Sequence, residues 1–414
     1  MTDFDVIVIG AGPAGLAASL AAEKKGKRVL LVERAARMGG ILNQCIHDGF
    51  GLIRFGEKLS GCEYANRYIN EVRASKVEVS LLTFVTRIEK KDDIFHITLV
   101  SRSGIRIVTS TALVLSTGCR ERTAKQVSIQ GTRPAGVFTA GSAQYYLNIL
   151  GEMPAKKCVI LGSGDIGLIM ARRLTLEGAE VIGVYEVKPT PSGLTRNIAQ
   201  CLDDFDVPLH VSHTVTRLYG ESRLTAVEIA QVDEKMRPIA GTEQIVECDT
   251  LILSVGLIPE NELAETLDIE LDPKTKGPVC DQNYETSQVG VFVCGNALHV
   301  NDLVDYVSES GDVAGSAAAD YCGRKRELVD IIAGKDFAYA VPEKLDVNSE
   351  ASKTVVFFRS RDVRDKTEVD VLVNGESVYK RKFMKLKPPE MERIVVDFSR
   401  VKVGDRISLE MWEA

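Results

Sequence analysis

Asp5-Val-Ile-Val-Ile-Gly-Ala-Gly-Pro-Ala-Gly15 lies near the start of the sequence and joins four consecutive apolar residues to a Gly-X-Gly-X-X-Gly pattern. The small residues that follow, to about Lys25, predict a helix, and Val29-Leu-Leu-Val-Glu33 predicts a second buried strand. A strand, a glycine-rich turn and a helix in this order are typical of a dinucleotide-binding fold. In that fold Gly10 allows the tight turn, Gly12 lets phosphate groups approach the backbone and Gly15 lets the helix pack on the sheet.

The same unit occurs a second time, one domain length further along the sequence. Cys158-Val-Ile-Leu161 predicts a strand, Gly162-Ser-Gly164-Asp-Ile-Gly167 predicts the turn and the start of a helix, and Val181-Ile-Gly-Val-Tyr-Glu186 predicts the next strand. The two turns are too far apart to belong to one unit, so the sequence predicts two dinucleotide-binding folds.

An acidic residue ends the second strand of each unit, Glu33 in the first and Glu186 in the second. A carboxylate at this position accepts hydrogen bonds from ribose hydroxyl groups. Glu186 would also repel the 2′-phosphate of NADP, so we expect NADH to be favoured over NADPH, with Lys188 softening that repulsion.

The composition is that of a soluble globular protein of two or three domains, with 414 residues, 45% of them hydrophobic and 26% charged. The net charge of −7 and the lack of a polybasic stretch argue against a nucleic-acid partner and against binding to an anionic membrane. Residues 6–22 are uncharged but short for a membrane span and are interrupted by three glycines and a proline. We therefore expect no transmembrane segment and no secretory leader there.

Nine cysteines are scattered along the sequence without any C-X-X-C or similar motif. They are Cys45, Cys62, Cys119, Cys158, Cys201, Cys248, Cys280, Cys294 and Cys322. This spacing excludes a local zinc site, a ferredoxin-type cluster and a redox pair adjacent in sequence, and no metal is expected. An odd, scattered set of cysteines indicates a reducing compartment, so the expected location is the cytoplasm.

The pattern changes after about Gly334 to short alternating strands. Strands are predicted over residues 354–358, 368–373, 377–386, 393–398 and 406–411, and Asn374-Gly375 is a strong hairpin signal. We expect a small all-β, sandwich-like domain over residues 340–414. This segment contains no Cys and no His, which favours a docking or packing module without chemistry of its own.

Further segments resemble a known superfamily. Ser116-Thr-Gly118 and Ser254-Val-Gly256 follow apolar strands, and Val291-Phe-Val-Cys-Gly295-Asn296 comes later. With the two glycine-rich turns, they are similar to the two-dinucleotide-binding flavoproteins of the pyridine nucleotide-disulfide oxidoreductase fold, which include glutathione and thioredoxin reductases. The resemblance covers roughly residues 4–330 and implies FAD on the first unit and NAD(P)H on the second. Asn296 stands where the superfamily usually has an Asp that holds the ribityl chain.

A narrower resemblance rests on four segments: Gly39-Gly-Ile-Leu-Asn-Gln-Cys45-Ile-His47-Asp-Gly-Phe50, Thr117-Gly-Cys-Arg-Glu-Arg122, Ala135-Gly-Val-Phe-Thr-Ala-Gly141 and His299-Val-Asn-Asp-Leu-Val304. Disulfide reductases carry their redox cysteine pair at the first segment, where this sequence has Cys45 alone. The segments resemble the FAD/NAD-binding subunits of heteromeric dehydrogenases, with relatives in opine and hydroxyproline dehydrogenases and in hydrogen cyanide synthase. The β-rich C-terminal segment is most similar to the kind associated with glycerol-3-phosphate dehydrogenase.

These resemblances imply an α/β fold with two Rossmann-like domains, the NAD domain inserted in the FAD domain, plus the small all-β C-terminal domain. The expected boundaries are residues 1–120 for the first part of the FAD-binding domain, 121–284 for the NAD(H)-binding domain, 285–335 for the second part of the FAD-binding domain and 340–414 for the C-terminal domain.

The resemblance also implies which residues bind each cofactor. For FAD they are Gly10, Gly12, Pro13, Ala14, Gly15, Glu33, Arg34, Gly39, Gly40, Val85, Thr117, Gly118, Gly295, Asn296, Leu303 and Val304. For NAD they are Gly162, Gly164, Asp165, Ile166, Gly167, Glu186 and Gly256.

Cys45, His47 and His299 are the candidate catalytic residues, because the resembling fold brings their loops near the isoalloxazine ring. A histidine there is suited to proton transfer, and the alternative is a structural histidine hydrogen-bonded to backbone or cofactor. Cys45 is either a flavin-facing or peroxidatic thiol, or a small buried hydrophobic residue. A helix starting near Leu303 would direct its N-terminus at the flavin, with Asp302 as its N-cap.

The sequence therefore predicts an FAD-dependent oxidoreductase subunit that transfers a hydride between NAD(H) and FAD within a heteromeric dehydrogenase, with the glycerol-3-phosphate type favoured. The implied partners are a small cysteine-rich protein, from which any iron–sulfur relay would come, and a flavin dehydrogenase subunit. Two alternatives stay open. One is a self-sufficient NADH oxidase or peroxidase that uses Cys45 as a sulfenic acid, and the other is a non-catalytic scaffold subunit with structural nucleotides.

Overall fold

The computed structural model describes residues 2–349 and 353–413, and the chain forms two compact units. The first unit comprises Met1–Cys119 and Pro259–Ala414, and the second comprises Arg120–Ile258. The second unit is therefore an insertion in the sequence of the first, as expected for a nucleotide domain placed within another.

The second boundary differs from the expected one at residue 284. Residues 259–284 belong to the first unit. The reason is their apolar side chains, since Ala264, Leu267 and Ile269 pack in the same core as Val6 of the first strand.

The helices and strands succeed one another as follows along the chain. Up to residue 115 they are β1 (Phe4–Ile9), α1 (Pro13–Lys24), β2 (Val29–Val32), β3 (Asp48–Phe50), β4 (Leu59–Ser60), α2 (Gly61–Ala74), β5 (Glu78–Ser80), β6 (Phe84–Lys91), β7 (Ile94–Ser101) and β8 (Gly104–Leu115). From there to residue 259 they are β9 (Cys119–Glu121), β10 (Gln130–Gly131), β11 (Val137–Thr139), α3 (Ala140–Tyr145), β12 (Lys157–Leu161), α4 (Asp165–Leu176), β13 (Glu180–Glu186), α5 (Thr195–Cys201), β14 (Leu209–Val211), β15 (His213–Tyr219), β16 (Ala226–Gln231), β17 (Gln244–Glu247), β18 (Thr250–Leu253) and β19 (Leu257–Pro259). The remainder are α6 (Glu262–Glu265), β20 (Val291–Val293), α7 (Val304–Asp320), β21 (Leu328–Ala333), β22 (Phe337–Val341), β23 (Lys344–Asp346), β24 (Lys353–Ser360), β25 (Arg364–Val373), β26 (Glu376–Leu386), β27 (Glu392–Asp397) and β28 (Ile407–Glu413).

The first unit is built on a seven-stranded sheet in the order β5-β2-β1-β8-β7-β6, with β20 also paired to β8. The strands β5, β2, β1, β8 and β20 are parallel, whereas β6, β7 and β8 are antiparallel. The strand β1 is central in this sheet, and its last four residues are buried. The glycine-rich turn follows directly at its carboxyl end.

The helices α1 and α7 of the first unit touch through their backbones. A Cβ on Gly311 would lie 2.2 Å from the carbonyl oxygen of Ala14, and a Cβ on Gly315 would lie 2.1 Å from that of Ala18. These contacts leave no room for larger side chains, so the two helices are held in one register.

The second unit contains a five-stranded parallel sheet in the order β11-β18-β12-β13-β14. A second sheet, β10-β15-β16-β17, is antiparallel through its last three strands. Both predicted βαβ units are therefore present, one in each compact unit.

The C-terminal strands form two sheets, β23-β21-β28-β25-β26 and β22-β24-β27, around their own buried core. The predicted hairpin at Asn374-Gly375 is confirmed, and both residues have positive φ (54° and 85°), as the favoured two-residue hairpin turn requires. The sandwich begins earlier than expected, because β21 precedes residue 340 and β22 spans it. The strands β21, β22 and β23 were not predicted.

Candidate functional site

The glycine-rich turn after β1 is shaped by contacts that only glycine permits. Gly10 has a φ of 103°, and a Cβ there would lie 2.4 Å from the carbonyl oxygen of Ser116. A Cβ on Gly15 would lie 1.8 Å from the carbonyl oxygen of Gly10. The start of α1 therefore lies directly against the ends of β1 and β8.

The N-terminus of α1 is open. Its N-cap, Gly12, makes no side-chain capping hydrogen bond, and a Cβ on Gly12 would meet no atom within 4 Å. Pro13 follows in the first turn, and Ala14 is buried behind it. Free N–H groups at a helix N-terminus attract negative charge, so the space in front of Gly12 fits the diphosphate of a dinucleotide.

Glu33 lies directly after β2 and is buried. Its carboxylate accepts hydrogen bonds from the backbone N–H groups of Ala11 at 2.8 Å and Ala35 at 2.7 Å. Each carboxylate oxygen can accept a further hydrogen bond, so the same side chain can hold the turn and bind a ribose hydroxyl. Arg34 is exposed beside it.

The segment Gly39–Gly40 closes over this turn. The N–H of Gly39 donates to the carbonyl oxygen of Ala11 at 2.8 Å, and a Cβ on Gly40 would lie 3.0 Å from the Cα of Gly12. Val85, on β6, packs against the core of the first unit. Gly39 and Gly40, which belong to the first segment of the narrower resemblance, thus lie against the glycine-rich turn after β1.

The Thr117–Gly118 segment forms hydrogen bonds with Glu260, near the residue where the first unit resumes in the sequence. The Thr117 hydroxyl donates to the carbonyl oxygen of Glu260 at 2.6 Å, and the N–H of Glu260 donates to the carbonyl oxygen of Gly118 at 2.9 Å.

Gly295 and Asn296 follow β20, next to the start of α1. A Cβ on Gly295 would lie 2.8 Å from the Cβ of Ala14. The Asn296 side-chain oxygen accepts the N–H of Asn301 at 3.0 Å, and its amide donates to the Cys119 sulfur at 3.6 Å. In this structure Asn296 therefore organises its own loop, beside the glycine-rich turn.

Cys45 is a buried thiol. It donates a hydrogen bond to the carbonyl oxygen of Ile41 at 3.4 Å. Burial raises its pKa to about 12, with a smaller contribution from nearby Cys62. The thiolate is the nucleophilic form of cysteine, so Cys45 is poorly reactive near neutral pH.

Cys62 is the neighbour that sequence spacing did not reveal. Its sulfur lies 3.9 Å from the carbonyl oxygen of Cys45 and 3.2 Å from that of Asn43, and neither cysteine is in a disulfide. The hairpin of β3 and β4 brings Gly61, at the start of α2, back to Cys45, since the N–H of Gly61 donates to the Cys45 carbonyl oxygen at 2.9 Å. Burial also raises the pKa of Cys62.

The two candidate histidines belong to different ring clusters. His47 is half-buried, with its ring 5.1 Å from that of Phe50. His299 is buried, with its ring 5.4 Å from Phe357 and 6.0 Å from Tyr339 of the C-terminal sheets. Burial lowers the pKa of His299 to about 4, reinforced by the positive charge of Arg359. The imidazole of His299 is therefore neutral near pH 7 and packs against two rings of the C-terminal sheets.

The expected N-cap of α7 is wrong. The helix begins at Val304 with Leu303 as its N-cap, and no side chain caps it. The carboxylate of Asp302 instead accepts hydrogen bonds from the Arg359 side chain and from the N–H of Met391. Asp302 is unable to act as a cap because the C-terminal sheets bind it.

The glycine-rich turn of the second unit repeats the geometry of the first. A Cβ on Gly162 would lie 2.1 Å from the carbonyl oxygen of Ser254, and a Cβ on Gly167 would lie 2.5 Å from that of Gly162. Gly164 is the N-cap of α4 and makes no side-chain capping hydrogen bond. Ser254 thus takes the place that Ser116 has in the first unit, and Gly256 follows it with a φ of 101°.

Glu186 is buried at the end of β13 and holds this second turn. Its carboxylate accepts the N–H of Ser163 at 3.0 Å, the Ser163 hydroxyl at 2.6 Å, the N–H of Lys188 at 3.0 Å and the Ser192 hydroxyl at 3.2 Å. The position matches that of Glu33, although more protein donors surround it.

Asp165 and Ile166 form the start of α4, where an acid is unusual. The Asp165 carboxylate accepts the N–H of Leu194 at 2.9 Å and the side-chain amide of Asn197 at 2.7 Å. These bonds hold the negatively charged Asp165 side chain against Leu194 and α5. The carboxylate is therefore partly neutralised by its donors, which leaves a phosphate at the N-terminus of α4 acceptable.

Within residues 2–349 and 353–413, no group of three or more Cys, His, Asp or Glu side chains is arranged to hold a metal ion. No helix in the same residues is long and apolar enough to cross a membrane.

Two uncapped helix N-termini, each with a buried acid beside a glycine-rich turn, invite comparison with known dinucleotide proteins. The model of the pyridine nucleotide-disulphide oxidoreductases matches residues 4–316, which is more than half of the chain. The chain belongs to this family. It is an FAD- and NAD(P)-dependent oxidoreductase with the α/β fold that the sequence predicted.

This oxidoreductase is similar to subunits of larger enzymes. It is 25% identical over 350 residues to an opine oxidase subunit of Agrobacterium tumefaciens (strain Ach5), covering 79% of this chain and 65% of that one. It is 24% identical over 336 residues to hydrogen cyanide synthase subunit HcnB of Pseudomonas protegens, covering 77% of this chain and 68% of that one. The match thus spans less than two thirds of the opine oxidase subunit.

A solved structure shows the same fold. The oxidoreductase and the thioredoxin reductase of T. acidophilum have a TM-score of 0.63 at 21% identity, with 77% of this chain and 99% of that chain covered.

Proposed function

We propose that this oxidoreductase is the subunit of a heteromeric dehydrogenase that holds both dinucleotides, with FAD in the first unit and NAD(H) in the second. When bound, these cofactors supply hydride transfer between nicotinamide and flavin. The chain's own part is to bind and orient them. The turns at Gly10 and Gly162 present helix N-termini to phosphates, and Glu33 and Glu186 accept hydrogen bonds from ribose.

Each unit has its own proposed binding residues. In the first unit they are Gly10, Gly12, Pro13, Ala14, Gly15, Glu33, Arg34, Gly39, Gly40, Val85, Thr117, Gly118, Gly295, Asn296, Leu303 and Val304. In the second unit they are Gly162, Gly164, Asp165, Ile166, Gly167, Glu186 and Gly256.

The observation that carries the proposal is the state of Cys45. A disulfide reductase or a cysteine peroxidase needs a reactive thiolate. Cys45 is buried and its pKa is raised to about 12, and the pKa of its neighbour Cys62 is raised as well. Both thiols are therefore protonated at neutral pH, which disfavours the self-sufficient oxidase or peroxidase. Electrons would then reach or leave the flavin by a route without these thiols, and a partner subunit is the proposed route.

The relatives support a subunit role. The opine oxidase and hydrogen cyanide synthase relatives are both named as subunits of their enzymes. The proposed partners are a small cysteine-rich protein that would hold any iron–sulfur relay and a flavin dehydrogenase subunit. Glycerol 3-phosphate is the favoured substrate of the assembly, on the resemblance of the C-terminal segment. All nine cysteines are outside disulfides, which favours the cytoplasm as the location.

NADH is the proposed nucleotide. Glu186 is buried and already surrounded by four hydrogen-bond donors. A 2′-phosphate placed beside this carboxylate would meet a like charge in a desolvated setting, whereas a 2′-hydroxyl could donate to it.

The test is affinity purification of the tagged chain from its native host, with partner identification and cofactor analysis. We expect one FAD per chain and co-purification of a flavin dehydrogenase subunit with a small cysteine-rich protein. The isolated chain should reduce an artificial dye with NADH but should not reduce NAD with glycerol 3-phosphate or an opine until the partners are added. NAD reduction by the pure chain with either substrate would overturn the proposal. Failure of NADH to bleach the bound flavin would instead favour the scaffold alternative.

A further inference from the structure

The C-terminal sheets bind the segment that leads into α7. Arg359, on β24, is largely buried and directs its guanidinium at this segment. It donates to the carboxylate of Asp302, to the carbonyl oxygen of Val300 at 3.4 Å and to the hydroxyl of Tyr339 at 2.9 Å. A further bond reaches the carbonyl oxygen of Pro389. The Arg359 side chain therefore donates to four acceptors, two in the segment before α7 and two in the C-terminal domain.

A second set of contacts also joins the C-terminal domain to Asp302 and to the first turns of α7. The N–H of Met391 donates to the other oxygen of Asp302 at 2.6 Å. Arg393 donates to Glu309 at 2.7 Å and lies over the ring of Tyr306, with 4.9 Å to the centroid. Tyr306 and Glu309 lie in the first two turns of α7, and Asp302 lies two residues before the helix, so the C-terminal domain contacts this side of the start of α7.

The segment so held borders the first glycine-rich turn. It starts at Gly295, whose Cβ would lie 2.8 Å from Ala14 of α1 and 3.2 Å from Val307 of α7. Since Gly311 of α7 also packs on Ala14, the first two turns of α7 extend past the start of α1 and lie next to Gly295. Residues 299–304 connect Gly295 to the start of α7, and Leu303 and Val304 are among the proposed FAD-binding residues.

We propose that the C-terminal sheets position residues 299–304 for FAD binding, with Arg359 and the Met391 amide as the positioning groups. Through these contacts the C-terminal domain would support the FAD site, which is compatible with the docking or packing module without chemistry expected from its lack of Cys and His. This inference rests on the proposed FAD site in the first unit. Charge-assisted hydrogen bonds of this kind are directional and lose their geometry when the guanidinium is replaced.

The test compares Arg359→Gln with Arg364→Gln in the full chain. Arg364 forms an ion pair with Asp336 in the same C-terminal domain, without touching residues 299–304. The readouts are the FAD dissociation constant from quenching of FAD fluorescence, the visible circular dichroism of bound FAD and the melting temperature of the FAD-free protein. We expect Arg359→Gln to weaken FAD binding about tenfold and to alter the dichroism, because a charged hydrogen-bond network is lost. Arg364→Gln should lower only the melting temperature.

Two further variants keep the test decisive. Arg359→Lys retains the charge but not the four-way geometry, so we expect an intermediate FAD dissociation constant. Asp302→Asn keeps the shape of the side chain and should weaken FAD binding even if Arg359→Gln does not fold. Wild-type affinity and dichroism in both Arg359→Gln and Asp302→Asn would overturn the inference. A wild-type chain that takes up no FAD would refute the proposed FAD site itself, so the two failures are distinguishable.

Discussion

Asp305 accepts a hydrogen bond from the backbone N–H of Arg54 at 2.7 Å, although the two residues are 251 positions apart in the sequence. Its other carboxylate oxygen accepts the N–H of Gly51 at 3.3 Å. Asp305 lies in the first turn of α7, and Gly51 follows the segment with Cys45 and His47. One buried carboxylate thus joins the two loops that carry the candidate catalytic residues.

Asp305→Ala should lower the free energy of unfolding by about 2–4 kcal/mol, because two backbone N–H groups lose their buried acceptor. Urea unfolding measures this change, and Asp362→Ala, at an exposed position with negative φ, is the control with an expected change near zero. Equal stabilities for the two variants would show that water replaces the carboxylate.

The two acids should separate the two cofactors. Glu33→Gln should weaken FAD binding while leaving NADH affinity unchanged, and Glu186→Gln should do the reverse, because each carboxylate lies at only one glycine-rich turn. FAD content per chain and NADH titration of the purified variants measure both effects. Loss of both cofactors in either variant would indicate unfolding in place of a local defect.

NADH should reduce the flavin with higher efficiency than NADPH, and Glu186→Ala should narrow that difference. The physical reason is the repulsion between a buried carboxylate and a 2′-phosphate. Stopped-flow flavin reduction with each nucleotide provides kcat/KM ratios, and Glu180→Ala, at the other end of β13, is the control. A wild-type preference for NADPH would contradict the assignment.

Thiol titration should distinguish one cysteine from the others. All nine lie in the described residues and Cys322 is the exposed one, so a disulfide reagent at pH 7.5 should modify it first. Cys45 should stay unmodified in the folded chain, since its thiol is buried with a pKa of about 12. Cys322→Ser removes the fast phase, and Cys45→Ser should retain NADH–dye activity. A fast phase that survives Cys322→Ser would contradict the lower exposure of the other eight cysteines.

His299 should make the protein less stable in mild acid. Its pKa is lowered to about 4 in the folded chain, whereas an unfolded histidine titrates near 6.5. The unfolded state therefore binds the extra proton between pH 6.5 and 4, and stability falls as the pH falls through that window, by about 3 kcal/mol in total. The difference between wild type and His299→Gln, measured by urea unfolding at pH 7 and pH 5, isolates this contribution. A constant difference would show that His299 binds protons equally in the folded and unfolded states, so that its pKa is not lowered by folding.

The parts of the site that are local in sequence could be predicted from it. Gly10, Gly15 and Glu33 lie within one βαβ unit, and each is constrained by neighbours from that same unit or from the strand beside it. The repeat at Gly162 and Glu186 obeys the same geometry, so the pattern could be recognised twice.

The contacts between distant segments could not be predicted. His299 is neutral because Phe357 and Tyr339 enclose it, and those rings come from strands that follow it by many residues. Asp302 had the position of an N-cap, but Arg359 and Met391 bind its carboxylate. Likewise, Cys62 reaches Cys45 only because a short hairpin folds the chain back. A single sequence contains no signal for these pairings.

The insertion of the second unit also has a consequence for the order of folding during synthesis. That unit is continuous in sequence and is complete once Ile258 has left the ribosome. The first unit then still lacks β20, which pairs with β8, and α7, which packs on α1. Since domains tend to fold as they emerge, the inserted unit should reach its native core before the unit that encloses it in sequence. During synthesis, residues 120–258 would therefore be folded while residues 1–119 still lack the C-terminal strands and helix that complete their unit.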